Sequence, residues 1–272
     1  MKTVAPQSNC RGNIVNAIAM CGALIFLVMT ACGCSATGVS VRQYEQAVEP
    51  EPVGAHLEFD SKISGTFSII GIDVDTGVCG AAVASKYPAV GRVVPHVRAG
   101  VGAFCTQHWH NPEWAELALD LLSKDHLPEQ VLSALLRSDP QRDKRQLAII
   151  DMSGRAANRN PAQADPSGIW WGAATGRYYA CQGNTLVGPE VIFAMARAYE
   201  QTQGSLADRL MAALIAGDCA GGDHRGRLAA GIRVAKEAIP GYWLELYVDE
   251  SENAVIDLAK KYAALEHEAK GS

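Results

Sequence analysis

Between Arg11 and Arg42 the chain carries no charged residue, and within that stretch Ile14 to Thr30 (IVNAIAMCGALIFLVMT) is almost wholly apolar. Such a run has no polar face to turn to water, so it does not belong to a folded surface element. Roughly 17–25 apolar residues span a bilayer, and a short basic start before an apolar core also reads as an export signal. Lys2 and Arg11 supply that start. The chain is thereby divided, and its fold must be built from the residues beyond the apolar run.

The end of the run offers three alternatives. Met29-Thr30-Ala31-Cys32-Gly33 is similar to a bacterial lipobox, with Cys32 as the lipidated residue; cleavage near Ala36 gives a soluble product; an uncleaved segment gives an anchor. All three place the remainder outside the cytoplasm, and lipid attachment facing the periplasm is the leading expectation. Residues 1–34 are thus read as signal peptide or lipoprotein anchor. Residues 35–63, with Glu45, Glu49, Pro50, Glu51 and Pro52 and little periodicity, read as a flexible linker. Residues 64–272 form the domain.

Net charge is −5, which argues against nucleic acid or a polybasic membrane surface as partner. Eight Cys in 272 residues are too few for a disulfide-built scaffold, and no CxxC pair is present. Cys79, Cys105, Cys181 and Cys219 sit in apolar or small-residue runs and read as buried small side chains, with Cys79–Cys105 and Cys181–Cys219 bridges conceivable in an oxidising compartment.

From Ile63 the texture changes. Thr66–Val74 and Val78–Ser85 flank the turn signal Asp75-Thr76-Gly77 and predict a hairpin. Gly100–Gln107 reads as a buried strand. Pro112 and Pro128 open two helices, the second ending at Asp139-Pro140. Gln146–Asp151 predicts a strand, 158–177 a loop, and Tyr178–Gln182 a strand. Pro189 opens a helix, and Ser205-x-x-Asp208 caps the next. Leu228–Ala235 and Trp243–Val248 predict strands, and a last helix carries Val255, Leu258 and Tyr262. Segregated helix pairs and a hairpin start fit stacked sheets with helices outside rather than a doubly wound βαβ sheet.

No Walker loop, dinucleotide fingerprint or Gly-x-Ser-x-Gly elbow is present. Ser68 and Ser85 read as ordinary strand hydroxyls. His108 and His110 share a face if both lie in a strand, but a zinc site needs a third ligand. Neither a metal nor a cofactor is expected. Gly65-Thr66 is more suggestive. A Thr at a new chain end has a base in its own α-amine, whose pKa near 7.7–8.0 leaves it partly neutral.

Several segments together resemble a bacterial family of unknown function, number 1028 in the domain-of-unknown-function series, placed in the N-terminal-nucleophile (Ntn) hydrolase superfamily. They are Thr66–Ile70 with Asp75-Thr76-Gly77; Ser85-Lys86-Tyr87-Pro88-Ala89-Val90-Gly91; Ala99–Ala103 with Thr106-Gln107; Asn111-Pro112; Gln182-Gly183-Asn184 with Val187–Glu190; and Gly221-Gly222-Asp223 with Arg225-Gly226-Arg227. The resemblance spans about residues 64–265. His108-Trp109-His110 and Asn160–Tyr178 depart from the family pattern.

The resemblance implies an α+β, four-layer αββα sandwich whose core begins at Thr66. It implies hydrolysis of a small amide, imine or peptide-like bond, after a cleavage at Gly65-Thr66 that would also free the domain from a lipid anchor. Thr66 is then the nucleophile, Lys86 a neighbouring charge that lowers the amine's pKa, and Asn184, with the Gly183 backbone, an oxyanion donor. Gln107, Asn111 and Asp223 line the pocket, and Arg225 or Arg227, two apart at a strand start and so pointing the same way, holds a substrate carboxylate. The alternative is a non-catalytic extracytoplasmic domain of the same fold that binds a small anionic or cell-wall-derived ligand. Expected partners are a small molecule and, through the leader, the membrane; a homo-oligomer is the default for such an architecture.

Overall fold

The computed structural model describes residues 65–161 and 170–271, with side chains up to residue 265. The leader, Cys32 and the linker 35–63 lie outside the described residues.

Among the described residues, ten strands and six helices run in order. They are β1 (Thr66–Asp73), β2 (Val78–Ser85), α1 (Val90–Val93), β3 (Pro95–Arg98), β4 (Gly102–His108), α2 (Trp114–Leu122), α3 (Pro128–Arg137), β5 (Arg145–Asp151), β6 (Ala156–Arg159), β7 (Trp170–Gly176), β8 (Tyr179–Leu186), α4 (Glu190–Gln201), α5 (Leu206–Cys219), β9 (Ala229–Lys236), β10 (Leu244–Val248) and α6 (Ala254–Gly271). Six strands form one sheet in the order β10-β9-β2-β1-β8-β7, and four form another in the order β3-β4-β5-β6. Every pairing is antiparallel.

The period-two alternation of β1 explains the layering. Phe67 and Ile69 pack with Val191, Met195, Leu210 and Leu214 of α4 and α5. Ile70 and Ile72 turn the other way, onto Ala103, Cys105, Ala148 and Ile150 of the smaller sheet. The outer face of that sheet, through Phe104, Leu147 and Ile149, packs against α2 and α3. The molecule is an α+β sandwich with helices outside two stacked antiparallel sheets. A strand buried on both faces buries every large side chain it carries, and each contributes about 1.5–3 kcal/mol. Small residues on β2 let α5 come close: a Cβ at Gly80 would stand 2.8 Å from Leu210 Cδ1.

The β1–β2 turn is closed by the Asp73 carboxylate, which accepts from the Asp75 and Thr76 N–H groups. Ser205 and Asp208 form a reciprocal capping box at the start of α5. Two expectations fail. The stretch 158–177 contains β7 and the end of β6, whose strand state comes from pairing with β8 and β5 rather than from composition. Arg225 and Arg227 precede β9 in a loop, so they do not share a strand face. No disulfide joins the four described cysteines, so neither conceivable bridge forms. Cys79 and Cys105 lie in the layer between the sheets. Burial pushes both thiols up to about 12. Among the described residues no helix is long and apolar enough to cross a membrane.

Candidate active site

The layer between the sheets is apolar at one end and polar at the other. Thr66 opens β1 opposite Ser85 of β2 on one side and Asn184 of β8 on the other. Directly paired residues point to the same face, so these three side chains converge. Ser68 and Gln182 form the next rung. Gln107 of β4 and Gln146 of β5, themselves a paired rung, face them from the smaller sheet. Thr66, Ser68, Ser85, Gln107, Gln146, Gln182 and Asn184 are all buried.

Except for Gln182, whose buried side-chain amide has no hydrogen-bond partner among the described residues, these groups satisfy one another. Gln146 accepts from Gln107 Nε2 (2.8 Å) and Asn184 Nδ2 (2.8 Å), and donates to the Gly183 carbonyl (2.8 Å) and to Asn160 Oδ1 (2.9 Å). Ser68 donates to Gln107 Oε1 (2.7 Å), and Gln107 Nε2 also reaches the Thr66 carbonyl (3.3 Å). Gln146 is thus the hub that orients both Gln107 and Asn184, and nothing in the sequence singled it out. Its one signal is a glutamine on the inward face of a strand whose next inward residues, Ala148 and Ile150, are apolar.

The Gly65–Thr66 peptide is gripped on all sides. The Gly65 N–H donates to Asn184 Oδ1 (2.5 Å). The Gly65 carbonyl accepts from the Ser85 hydroxyl and from Arg225 Nη2, the latter at 3.1 Å. Thr66 Oγ1 donates to Ser85 Oγ (3.1 Å), and the Tyr87 N–H donates to the same oxygen (3.0 Å). Ser85 therefore bridges the Thr66 hydroxyl and the carbonyl in front of it. Gly65 has φ +93°, and Thr185 beside it has φ +52°, an outlier for a β-branched residue.

Arg225 is itself fixed. Its Nε and Nη2 hold the two oxygens of Asp223 at 3.1 and 2.7 Å, and Asp223 also accepts from the Lys86 backbone N–H at 3.2 Å. The loop 221–228 is stitched to β8 and β2 through His224 N to Thr185 O, Val187 N to Gly222 O and Leu228 N to Ser85 O. Arg227 pairs with Asp218, whose carboxyl is pushed up by burial and pulled back by that guanidinium.

These facts redistribute the expected roles. Thr66, Asn184, Gln107, Asp223 and Arg225 come together. Lys86 contributes its backbone, while its exposed ammonium turns to the Arg227 carbonyl. Asn184 presents its oxygen to Gly65 and spends its Nδ2 on Gln146, so it is not the donor to this carbonyl. Ser85 and Arg225 are. Both arginines already face a carboxylate of the chain itself. Asn111 stands apart: its N–H donates to Thr106, which is on the opposite face of β4 from Gln107. His108 ends β4 with φ +67°, which breaks the strand before His110 and denies the pair a common strand face. The His108 ring lies 5.9 Å from that of Trp171. Among the described residues no three His, Cys, Asp or Glu side chains cluster as metal ligands. A cavity of about 510 Å³ opens at the far end of β1, lined by Asp73, Arg177, Tyr178, Glu200 and Arg209, away from Thr66.

The profile of a family of unknown function, DUF1028, matches residues 66–258, beginning at Thr66 itself. The chain belongs to the DUF1028 family. The crystal structure of SPO2555 from Silicibacter pomeroyi, a protein assigned to DUF1028, is similar at 30% identity with a TM-score of 0.67, covering 74% of this chain and 86% of that one. No curated protein matches. The DUF1028 match ends inside α6, so it takes in both sheets and all the convergent polar residues.

Proposed function

We propose that this DUF1028 protein is an Ntn-type amidohydrolase whose nucleophile, Thr66, is unmasked by scission of its own Gly65–Thr66 bond. One observation carries the reading: the Gly65 carbonyl oxygen is held by a hydroxyl and a guanidinium, and the same hydroxyl accepts from Thr66 Oγ1. Donors aimed at a carbonyl oxygen stabilise the charge that develops there when its carbon is attacked. The stacked sheets, with a Thr at the head of a central strand, support the Ntn assignment.

In the scission Thr66 Oγ bonds to the Gly65 carbonyl carbon while Ser85 and Arg225 hold the oxyanion. The C–N bond breaks, and the Oγ proton ends on the Thr66 nitrogen. Water then cleaves the resulting glycyl ester, giving a Gly65 carboxylate, a free Thr66 hydroxyl and a free α-amine. That amine is the base for later turnovers, removing the Oγ proton and returning it to the leaving nitrogen of a small amide, imine or peptide-like substrate. Export by the leader, with lipid attachment at Cys32, places this chemistry outside the cytoplasm, and the scission separates the domain from the anchor.

The test is a screen of small amides with the wild-type chain and Thr66→Ala. Turnover by the first and none by a correctly folded second supports the reading. Equal turnover by both refutes it. A chain that stays uncut and turns over nothing leaves a non-catalytic binding domain in its place.

A further inference from the structure

Scission and turnover share an intermediate. The glycyl ester on Thr66 Oγ is an acyl-enzyme, so any substrate acyl group passes through the volume that Gly65 occupies in the uncut chain. Gly65 is therefore a built-in outline of that acyl group. This inference rests on the Thr66 reading proposed above.

The walls of the outline are close. A Cβ on Gly65 would stand 1.8 Å from Arg225 Nη2, 2.4 Å from Arg225 Cζ and 2.3 Å from Thr185 Oγ1. An arginine tip usually swings away from such a contact. Here it cannot do so freely, because Asp223 holds Nε and Nη2 and the Gly65 carbonyl holds Nη2 again. Thr185 Oγ1 is tied to the Asn184 carbonyl (2.7 Å). On the other side of the α-carbon, Asn184 Oδ1 accepts the Gly65 N–H, and Asn184 is buried and set by Gln146.

From these walls we infer that Thr66 acts on acyl groups unbranched at the α-carbon that carry a hydrogen-bond donor there, that is, glycyl-type amides. Arg225 and Thr185 exclude the branch, and Asn184 reads the donor. The guanidinium is neutralised by Asp223, so the site selects on shape and on one N–H rather than on a negative charge. This replaces the carboxylate-binding role that the sequence suggested for Arg225.

The experiment uses the full-length chain as purified, with its amino terminus fixed by intact mass. Three probes share one leaving group: the p-nitrophenyl esters of N-acetylglycine, N-acetyl-L-alanine and propionic acid. Acylation of Thr66 is followed by peptide mass, and each rate is divided by the ester's hydrolysis rate in buffer. N-acetylglycine is expected to acylate at least ~100-fold faster than N-acetyl-L-alanine, and at least ~10-fold faster than the propionyl ester, which lacks the N–H. Arg225→Lys keeps a cation beside Asp223 but withdraws Nη2, and is expected to slow the glycine probe while collapsing the glycine-to-alanine ratio below ~10. Equal rates for glycine and alanine, or a ratio unmoved by Arg225→Lys, overturn the inference and leave Thr66 as nucleophile. A chain that begins at Thr66 yet is acylated by none of the esters overturns the nucleophile reading itself.

Discussion

Gln146→Leu is the perturbation that probes the buried polar network most sharply. The volume is nearly kept, and the strand position suits leucine, so packing changes little. What goes is five hydrogen bonds, three of them fully buried. Gln107 Nε2 retains the Thr66 carbonyl, at a long 3.3 Å. Asn184 Nδ2 loses the Gln146 oxygen that it reaches at 2.8 Å, and the buried Gly183 carbonyl loses its side-chain donor, while half-buried Asn160 can take water instead. A buried polar group left unsatisfied costs about 1–3 kcal/mol. Two such groups, less the gain from burying an apolar side chain, give a loss of about 3 kcal/mol. With a urea m-value of about 2–3 kcal/mol/M for a domain of this size, the midpoint falls by about 1–1.5 M. Urea unfolding followed by circular dichroism measures this directly. A midpoint within ~0.3 M of wild type would refute the claim that Gln146 is the hub, because the partners would then have found other bonds.

Other expectations rest on single observations. Ser85→Ala removes one of two donors to the Gly65 carbonyl and the acceptor of Thr66 Oγ1; scission, followed by intact mass, should slow about 10²–10³-fold, and an unchanged rate would remove Ser85 from the site. His96 has its pKa lowered to about 4, chiefly by burial and then by Arg233. Because the unfolded imidazole protonates near 6.5, its contribution is whole above that pH and is lost as pH falls to about 4. The loss is on the order of 2 kcal/mol after allowing for partial exposure. His96→Gln should flatten that part of the stability profile, and an identical acid slope in both proteins would exclude His96 as its source. Of the four described cysteines, exposed Cys219 should be alkylated first at pH 8, while Cys79 and Cys105, with thiols near 12, and buried Cys181 stay unlabelled until unfolding. Peptide mapping showing Cys79 labelled with the native protein would contradict the burial.

How much of this was legible in the sequence depends on range. The β1–β2 hairpin was written locally, in two apolar runs around Asp75-Thr76-Gly77, and its strands begin or end within a residue of expectation. The helices opened by Pro128 and capped by Ser205 were equally local. Strand β7 was not, because WWGAATG offers no β-branched alternation and becomes a strand by pairing with β8. The site divides in the same way. Thr66 and Asn184 stood inside segments that resemble the family. Ser85 read as an ordinary strand hydroxyl because its place depends on register, which sets it opposite Thr66. Gln146 lies on the other sheet, so only the stacking of the two sheets brings it to Asn184. Arg225 was expected to hold a substrate carboxylate, and the pairing with its own Asp223, two residues earlier, depends on a loop conformation that the sequence does not spell out.

The central claim is that Thr66 becomes a chain end and does so by its own hydroxyl. Intact mass with amino-terminal sequencing of the full-length chain, beside Thr66→Ala, tests this most directly. The account predicts a wild-type domain that begins at Thr66 and a variant that remains joined through Gly65. A wild-type chain still continuous across Gly65–Thr66, or a Thr66→Ala chain cut at that same bond, would contradict it.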